Sequence, residues 1–340
     1  MLLVITNVAD VHPNPVITKM TELGMPVFRL NTDRLIADYD VSYYIDQTGF
    51  HFHIKYKDYP YEISSEQISC VWERRPMKPI TTYHSYDDKQ LRDLVIDEAD
   101  GFFEFFRRSL VGMDLLWIGH PIKERFARSK IMQKIVASKL GMRFPKTLFS
   151  NKVSDIDIFG DAPIALKPIS VDNIQMDQDF LVFYTTKLHA TNLKELGNES
   201  FCSTINYIEE YTEKQYELRV TVVNGEFFTA KVCSQELSEN TGSIDWRQGY
   251  DHGIKFVAIP TPDEIISFCT EFLKYFDLRF GCFDFILNKE GEYIFLECNT
   301  NGQWLWLERD AGLPISDAFV RTFISAYEMH AKNRGQHSIT

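Results

Sequence analysis

The stretch of sequence that decides the fold is GCFDFILNKEGEYIFLECNTNGQWLWLE, residues 281–308. Two runs rich in apolar and aromatic residues are separated by a short polar segment that contains a glycine, which is the pattern of two strands joined by a turn. The sequence therefore predicts a β-hairpin whose turn and strands are Asn288–Gly291, Cys282–Leu287 and Tyr293–Cys298.

Three oxygen-bearing side chains interrupt the apolar pattern of this hairpin. If Glu290–Gly291 is a two-residue turn, Asp284 faces Glu297 across the strands. Asn299 lies on the same face as Glu297, because side chains alternate along a strand. Facing carboxylates repel each other unless a cation lies between them. Two carboxylates and an amide suit Mg²⁺, so these three residues are the predicted metal ligands. A surface hairpin with solvated acids is the alternative.

The composition limits the classes of function. A chain of 340 residues with 44% hydrophobic and 25% charged residues is typical of a soluble globular protein with two or three domains or one large mixed domain. A net charge of −12 argues against a protein that binds nucleic acids or anionic membranes in general. No apolar run approaches the roughly 20 residues that span a bilayer. The six cysteines lack CxxC spacing, which fits a reduced cytoplasmic chain without a zinc site.

The first part of the chain alternates strands with helices. Its pattern predicts a small α/β unit of a strand, a helix and a strand at Met1–Ile5, Asn14–Leu23 and Pro26–Leu30. Farther along, Arg74 and Arg75 follow a strand and stand directly before Pro76. A double arginine in this position predicts a clamp for a carboxylate or another anion. A pair of solvated surface charges is the alternative.

Two lysines in the middle of the chain are candidate phosphate ligands. Lys130 stands at the start of a helix, where the helix dipole disfavours a cation, so its position indicates an anionic partner. Lys167 ends an apolar strand directly before Pro168, which also favours a phosphate partner. For Lys130, a solvated lysine on the helix surface is the alternative.

A second hairpin is predicted around Asn224–Gly225, because Asn-Gly between apolar runs is a strong hairpin signal. Glu217 and Arg219 share one face of its first strand, and an exposed sheet face with alternating charges is the alternative reading. The tripeptide Asp-Trp-Arg at 245–247 follows in a polar stretch.

The order of these features resembles that of an ATP-grasp ligase over residues 121–325: a lysine on a helix, a lysine at a strand end, an acidic connector, an acid-x-Arg strand and Asp…Glu-x-Asn. The motifs WERRP, SQ…DWR and NTNGQWLWLE are similar to those of the microviridin-type peptide maturases, the graspetide synthetases, which cross-link side chains of ribosomal precursor peptides. The resemblance implies an α/β (α+β) ATP-grasp fold behind an N-terminal pre-ATP-grasp α/β domain. The expected regions are the N-terminal domain, a central lobe, a C-terminal lobe with the metal site and a frayed tail at 1–120, 121–205, 206–330 and 331–340.

The resemblance also implies roles for individual residues. The expected nucleotide-binding residues are Lys130, Lys167, Glu209, Glu210, Tyr211 and Glu217. In this set the lysines contact the ATP phosphates and the adenine side, residues 209–211 form the hinge strand whose backbone reads adenine, and residue 217 lies near the ribose or supports the site. The expected catalytic, substrate-binding and Mg²⁺-binding groups are Arg219 with Arg247, Arg74 with Arg75, and Asp284 with Glu297 and Asn299. ISVDNIQMDQD, after the second lysine, lacks the glycines of many phosphate flaps, so no flap residue is assigned.

The activity that the resemblance implies is maturation of a precursor peptide with ATP and Mg²⁺. An Asp or Glu side chain of the precursor is activated as an acyl phosphate, and a Ser, Thr or Lys side chain then forms an ester or amide cross-link. A leader segment of the precursor is expected on the loop and strands from Ser234 to Ala258. The enzyme is expected in the cytoplasm, and ligases of this type are often homodimers. The alternatives are a ligase that adds a free amino acid and a non-catalytic precursor-binding protein.

Overall fold

The structure, a computed structural model, describes residues 1–47, 49–80, 89–170, 173–176, 179–195, 198–237 and 242–337. Among these residues no helix is both long and apolar enough to cross a membrane. The mixed α/β architecture predicted from the sequence is confirmed, and the described residues form three larger sheets and two small antiparallel sheets of three and two strands.

The N-terminal region contains a parallel sheet and the three-stranded antiparallel sheet. Its elements are β1 (Leu2–Thr6), α1 (Pro13–Glu22), β2 (Val27–Asn31), α2 (Leu35–Asp38), β3 (Tyr39–Asp46), β4 (Gly49–Tyr56), β5 (Glu62–Ser64), β6 (Cys70–Glu73), α3 (Lys89–Val111) and β7 (Leu116–Ile118). The parallel sheet has the order β2-β1-β6-β7, and β3-β4-β5 form the antiparallel one. Every residue of β1 is buried, as expected for a parallel strand that is covered on both faces.

The middle of the chain forms a four-stranded antiparallel sheet with the order β12-β9-β13-β8. In this sheet β9, which ends at Lys167, pairs with β13 in the antiparallel direction. The last residue of β9 therefore lies beside the start of β13. The elements in chain order are α4 (Pro121–Ala127), α5 (Lys130–Lys139), β8 (Thr147–Ser150), β9 (Pro163–Lys167), β10 (Asn173–Met176), β11 (Asp179–Val182), β12 (Thr186–His189), α6 (Ala190–Glu195), α7 (Asn198–Cys202) and β13 (Asn206–Glu210).

The C-terminal region contains a five-stranded antiparallel sheet with the order β16-β15-β14-β17-β18. The predicted Asn224–Gly225 turn joins its strands β14 and β15. The final helix continues to His337, so residues 331–337, which were expected to fray, are helical. The elements are β14 (Lys214–Val223), β15 (Glu226–Val232), β16 (Phe256–Ile259), α8 (Asp263–Phe276), β17 (Phe280–Asn288), β18 (Tyr293–Asn299), α9 (Leu305–Ala311) and α10 (Ile315–His337).

The register of the β17–β18 hairpin differs from the prediction near its turn. Leu287 pairs with Tyr293, which is one residue away from the predicted register. A β-bulge next to Asp284 leaves Leu296 without a partner and shifts the register back, so Asp284 faces Glu297 as predicted. The facing pair is therefore confirmed, although the two-residue turn from which it was derived is wrong.

Two apolar cores cross the boundaries expected between the regions. Trp72 of β6 stacks on Phe319 of α10 with ring centroids 4.6 Å apart, and Trp304 lies 5.2 Å from the same ring. Val136 of α5 belongs to the core formed by α8 and the C-terminal sheet, not to the core of the central sheet. The N-terminal sheet and α5 thus share their packing with the C-terminal region, which fixes their positions relative to the hairpin.

A buried carboxyl group at the junction between β6 and α4 gives a testable pH dependence. Burial raises the pKa of Glu124 from 4.5 to about 8, although Arg128 lies 3.1 Å away. The folded protein therefore holds a proton that the unfolded chain loses above pH 4.5, so this group's contribution to stability is present below pH 4.5 and declines up to about pH 8. Burial also raises the pKa of Glu73, to about 7. This carboxyl group therefore adds to the loss of stability as the pH rises.

We expect the Glu124→Gln variant to flatten this dependence. Chemical denaturation of the wild type should give a free energy of unfolding that falls between pH 5 and pH 8, and the variant should lose less over the same interval because its amide does not titrate. Glu271→Gln, a change at an exposed acid on α8 that contacts Lys274, serves as the control and should keep the wild-type slope. Equal slopes in all three proteins would contradict the assignment.

Candidate active site

The hairpin brings the three predicted metal ligands together. Asp284 of β17 faces Glu297 of β18, and the Asn299 amide nitrogen donates to both carboxylates, at 3.1 Å to Asp284 Oδ2 and 3.2 Å to Glu297 Oε1. The alternation of side chains along β18 places Glu297 and Asn299 on one face, as the sequence predicted. The three groups therefore form one polar cluster on an otherwise apolar hairpin.

Two cations from neighbouring elements neutralise the facing acids. Arg219 of β14 lies opposite Asp284 in the sheet, and its Nη1 donates to both carboxylate oxygens at 2.8 and 2.6 Å. The Lys130 ammonium at the start of α5 lies 2.5 Å from Glu297 Oε2. Burial raises the pKa of Asp284, with the Glu297 charge adding to the rise. Burial also opposes ionisation of Glu297, but the Lys130 charge outweighs it and holds the pKa of that carboxyl low.

The donor set of this cluster fits a hard divalent cation. Carboxylate and amide oxygens are the ligands of Mg²⁺, and rotating the Asn299 amide would present its oxygen where the nitrogen now meets the two acids. Within the described ranges no group of three His, Cys, Asp or Glu side chains is arranged to hold a metal. An Mg²⁺ ion held here would therefore need the Asn299 amide oxygen as a ligand, and water or phosphate oxygens would complete its coordination.

A second ionic cluster lies on the central sheet. The Glu209 carboxylate is almost completely buried and contacts Lys134 Nζ at 2.7 Å and Lys167 Nζ at 2.5 Å. The Tyr207 hydroxyl also donates to it at 2.6 Å. Burial disfavours the charged carboxylate, but the two ammonium groups outweigh it and hold the pKa of Glu209 at about 2. The Lys134 ammonium in addition donates to the Leu296 carbonyl at 2.9 Å, so this cluster is joined to the metal-site hairpin.

The predicted hinge strand is present, but its side chains and backbone are used differently from the expectation. Glu209 points into the lysine cluster, and Glu210 is exposed. The backbone N–H groups of Glu210 and Tyr211 already donate to Lys146 and Pro163 carbonyls at 2.9 and 2.8 Å. Reading of adenine by these two N–H groups is therefore contradicted, because each is committed to the sheet.

Of two further predicted site residues, Glu217 is buried and Arg247 is partly exposed. Glu217 is buried and accepts from Lys214 Nζ at 2.7 Å and from the Ser234 hydroxyl at 3.0 Å, so it ties two segments together. Arg247 is about two-fifths exposed and is held by Asp245 at 2.6 Å. That contact raises the pKa of Arg247, and the charges of Glu297 and Asp284 add to the rise.

Arg74 is not available as the predicted substrate clamp. Its side chain is 1% exposed, and its guanidinium contacts Asp10 at 2.9 Å, the Asn301 side-chain oxygen at 3.3 Å and the Gly302 carbonyl at 3.1 Å. It therefore fixes the loop that follows Asn299. Arg75 is exposed and has a φ of 51°, and its substrate-binding role stays a prediction.

The glycine of the NTNG motif is explained by the same loop. A Cβ atom on Gly302 would lie 2.5 Å from the Cys282 Cβ and 3.1 Å from Arg219 Nη2, so no larger residue fits without displacing them. Arg219 Nη2 also donates to the Gln303 carbonyl at 3.2 Å. The loop after the predicted metal ligands is thus held between Arg74 on one side and Arg219 on the other.

Three functional contacts escaped the sequence reasoning. No role was predicted from the sequence for Lys134, which stands four residues after Lys130, for Tyr207 or for Asp10. The i, i+4 spacing of the two lysines was the available signal, because it places both on one helix face. Nothing in the local sequence indicates that Asp10 contacts Arg74, since the two residues are 64 positions apart.

Comparison with known proteins gives the same architecture. A model of the MvdD pre-ATP-grasp domain matches residues 1–124. Macrocyclase MdnC of Microcystis aeruginosa, solved with the precursor peptide MdnA, is 26% identical with a TM-score of 0.79 and covers 95% of this chain and 99% of that chain. Macrocyclase MdnB of the same organism is 28% identical with a TM-score of 0.72, covering 94% and 97%.

A further solved structure shares the fold. A RiPP-associated ATP-grasp ligase of Chryseobacterium gregarium, solved with ADP and with a leader and core peptide, is 24% identical with a TM-score of 0.85 and covers 95% of this chain and 96% of that chain. No curated protein matches the chain significantly.

The role of Arg74 can be tested without assuming any activity. Arg74→Lys keeps a positive charge beside Asp10 but lacks the fork that reaches the loop. Hydrogen–deuterium exchange should therefore increase in residues 299–304, and the free energy of unfolding should fall by roughly 1–3 kcal/mol. Arg34→Lys, which alters the arginine–aspartate contact between Arg34 and Asp38 in the N-terminal region, is the control and should leave exchange in that loop unchanged. Unaltered loop exchange in Arg74→Lys would show that Arg74 does not hold the loop.

Proposed function

Because the chain is an ATP-grasp ligase of the microviridin-type peptide maturases, we propose that it uses ATP to cross-link side chains of a ribosomally made precursor peptide. An Asp or Glu side chain of the peptide supplies the acyl group, and a Ser, Thr or Lys side chain supplies the nucleophile. The product is a macrocycle closed by an ω-ester or ω-amide bond.

The observation that supports this proposal most directly is the neutralised acid cluster. Asp284, Glu297 and Asn299 offer oxygen ligands beside two cations, Lys130 and Arg219. Lys167 lies at the end of β9 in the central sheet, and its charge also stabilises ionised Glu297. A bound Mg²⁺ would neutralise charge on the phosphate oxygens during transfer. Acids beside cations suit a metal–triphosphate, because the acids can bind the metal ion and the cations can bind the phosphates.

The chemistry proceeds in two balanced steps. A carboxylate oxygen of the peptide attacks the ATP γ-phosphorus, which forms an acyl phosphate and releases ADP. A hydroxyl or amine of the same peptide then attacks the acyl carbon, which releases phosphate and a proton. In this scheme Arg219 stabilises the transferred phosphoryl group, and Arg247, which is partly exposed beside the acids, orients the peptide carboxylate. Holding both reacting groups in one site favours ring closure over hydrolysis of the acyl phosphate.

The partner and setting follow from the same proposal. The precursor has a leader segment and a core that contains Asp or Glu together with Ser, Thr or Lys. We propose that the enzyme acts in the cytoplasm as a homodimer. Light scattering of the purified protein tests the oligomeric state independently of the chemistry.

Mass spectrometry tests the function directly. Incubation of the enzyme with ATP, Mg²⁺ and the short peptide encoded beside its own gene should lower the peptide mass by one water for each cross-link. Alkaline hydrolysis should open ester links and leave amide links intact. A peptide whose mass instead increases by an amino acid residue would establish a free-amino-acid ligase. Unchanged peptide mass together with tight peptide binding would indicate a non-catalytic binding protein.

The metal cluster makes a second prediction about this reaction. Glu297→Gln removes one carboxylate and leaves Lys130 without its partner, so ATP turnover should fall by roughly a hundredfold or more, which corresponds to several kcal/mol of transition-state stabilisation. Glu292→Gln changes a partly exposed acid on the same hairpin and should retain wild-type turnover. The thermal unfolding of both variants should show that they are folded. Wild-type turnover in Glu297→Gln would overturn the metal assignment.

A further inference from the structure

A groove lies between the edge strand β16 and the C-terminal end of α9. Tyr250, Lys255, Phe256, Val257 and Arg309 line it, and its volume is about 530 Å³. A groove between an exposed strand edge and a helix is one of the recurring sites for extended peptides, because the edge supplies backbone hydrogen bonds and the helix supplies side-chain contacts.

The outer edge of β16 has backbone groups directed away from the sheet. Among the described strands β16 pairs only with β15. The Cys233 N–H donates to the Lys255 carbonyl at 3.0 Å, and facing residues of an antiparallel pair alternate between bonded and non-bonded. Val257, two residues after Lys255, is therefore also bonded to β15. Phe256 and Ala258 direct their N–H and C=O groups outward, into the groove.

Pro260 limits how far this edge extends. The next outward N–H position after Ala258 belongs to residue 260, and proline has no N–H there. Proline is one of the residues that prevent a sheet edge from pairing with other chains. The free edge is thus confined to two residues and suits a short added strand.

An aromatic cluster forms the side of the groove next to the edge. The ring of Phe256 lies 4.6 Å from Trp306 and 6.1 Å from Tyr250, and Trp246 lies 5.0 Å from Trp306. Tyr250 and Val257 are exposed, with 38% and 47% of their surface accessible. An added strand would cover this apolar surface with every second side chain.

The charged side chains that line the groove are Lys255, Arg309 and Asp310, so two cations and one acid give it a net charge opposite in sign to that of the whole chain. Lys255 is exposed beside the edge, and Arg309 on α9 is 67% exposed although it contacts Asp310. The whole chain carries a net charge of −12, so a basic rim is unusual on this surface. An acidic peptide is therefore electrostatically complementary to the groove, whereas a second copy of this acidic chain is less so.

The chain links the aromatic cluster of the groove to Arg247, one of the expected catalytic residues. Trp246 in the aromatic cluster directly precedes Arg247, which responds to the charges of Asp284 and Glu297. Asp245, on the other side of Trp246, accepts from the Thr185 N–H at 3.0 Å and fixes this segment to the central region. Because Trp246 contacts the rings beside β16, we expect a peptide group held by the neighbouring Arg247 to lie near this edge.

We propose that this groove binds an extended acidic segment of the precursor peptide as an added strand on β16, next to the residues that react. This inference rests on the proposed function. It assigns the surface to the segment that flanks the cross-linked side chains, so contacts with β16 hold the acceptor and the nucleophile near Arg247 while ATP is consumed.

A matched pair of variants at one position tests the added strand. Ala258→Pro removes an outward N–H and leaves the bonds to β15 intact, whereas Ala258→Val adds side-chain volume and retains the N–H. Fluorescence anisotropy with the labelled peptide encoded beside the gene should show a dissociation constant about three- to tenfold higher for the proline variant. KM for the peptide should rise similarly, and the rate of ATP consumption at saturating peptide should change little. Ala258→Val should resemble the wild type.

A charge reversal tests the choice of an acidic segment. Lys255→Glu should weaken peptide binding by about threefold at low salt, and the difference should shrink at high salt. Lys274→Glu, the same reversal at an exposed lysine on α8, should bind like the wild type. Equal binding by both variants would overturn the electrostatic part of the proposal.

The outcomes separate this inference from the proposed function. If the wild type lowers the peptide mass and Ala258→Pro has unchanged affinity and KM, the groove assignment fails while the function stands. If the wild type forms no cross-link, the proposed function fails, and the groove assignment fails with it unless the anisotropy difference between the two Ala258 variants persists. A change of oligomeric mass in Ala258→Pro with unchanged peptide affinity would show that the edge contacts a second copy, which also overturns the proposal.

Discussion

The repulsion between Asp284 and Glu297, which face each other across β17 and β18, is the constraint on which the site depends. Two carboxylates at this separation on a largely apolar hairpin are unfavourable unless cations compensate them. The fold supplies Arg219 from the adjacent strand β14 and Lys130 from the start of α5. Each cation comes from a different element, so correct assembly of the sheet and the helix is needed to neutralise the acids.

The sequence predicted those parts of the structure that depend on local pattern. The Asn224–Gly225 turn was predictable because that dipeptide adopts the backbone conformation of a tight hairpin. Glu297 and Asn299 were predictable as neighbours because the period of a strand is two. Arg219 was predictable as their companion only through the resemblance, since the pairing of β14 with β17 joins residues 65 positions apart.

Other features depended on contacts that no local pattern encodes. The bulge at Leu296 corrects a register that the turn alone would have set wrongly, and it is visible only when both strands are paired. Arg74 was predicted to be part of a substrate clamp because a double arginine follows a strand before Pro76, but Asp10 and the 301–302 loop bury it. Glu209 was read for its backbone because the resemblance assigned a hinge there, whereas its side chain contacts two lysines.

The buried lysine contacts divide the cations of the site into two kinds. Lys134 is 8% exposed and is bound by both Glu209 and the Leu296 carbonyl, so a phosphate group that took its ammonium would leave the Glu209 carboxylate undercompensated. Lys130 and Lys167 are 25% and 18% exposed, so both are more accessible than Lys134. A phosphate must compete with Glu297 for Lys130 and with Glu209 for Lys167, but Lys134 continues to neutralise Glu209 when Lys167 turns to the ligand. Lys134 thus permits Lys167 to change partners without leaving the buried Glu209 carboxylate unpaired. A cluster of one acid and two lysines is for this reason better suited to phosphate binding than a simple ion pair.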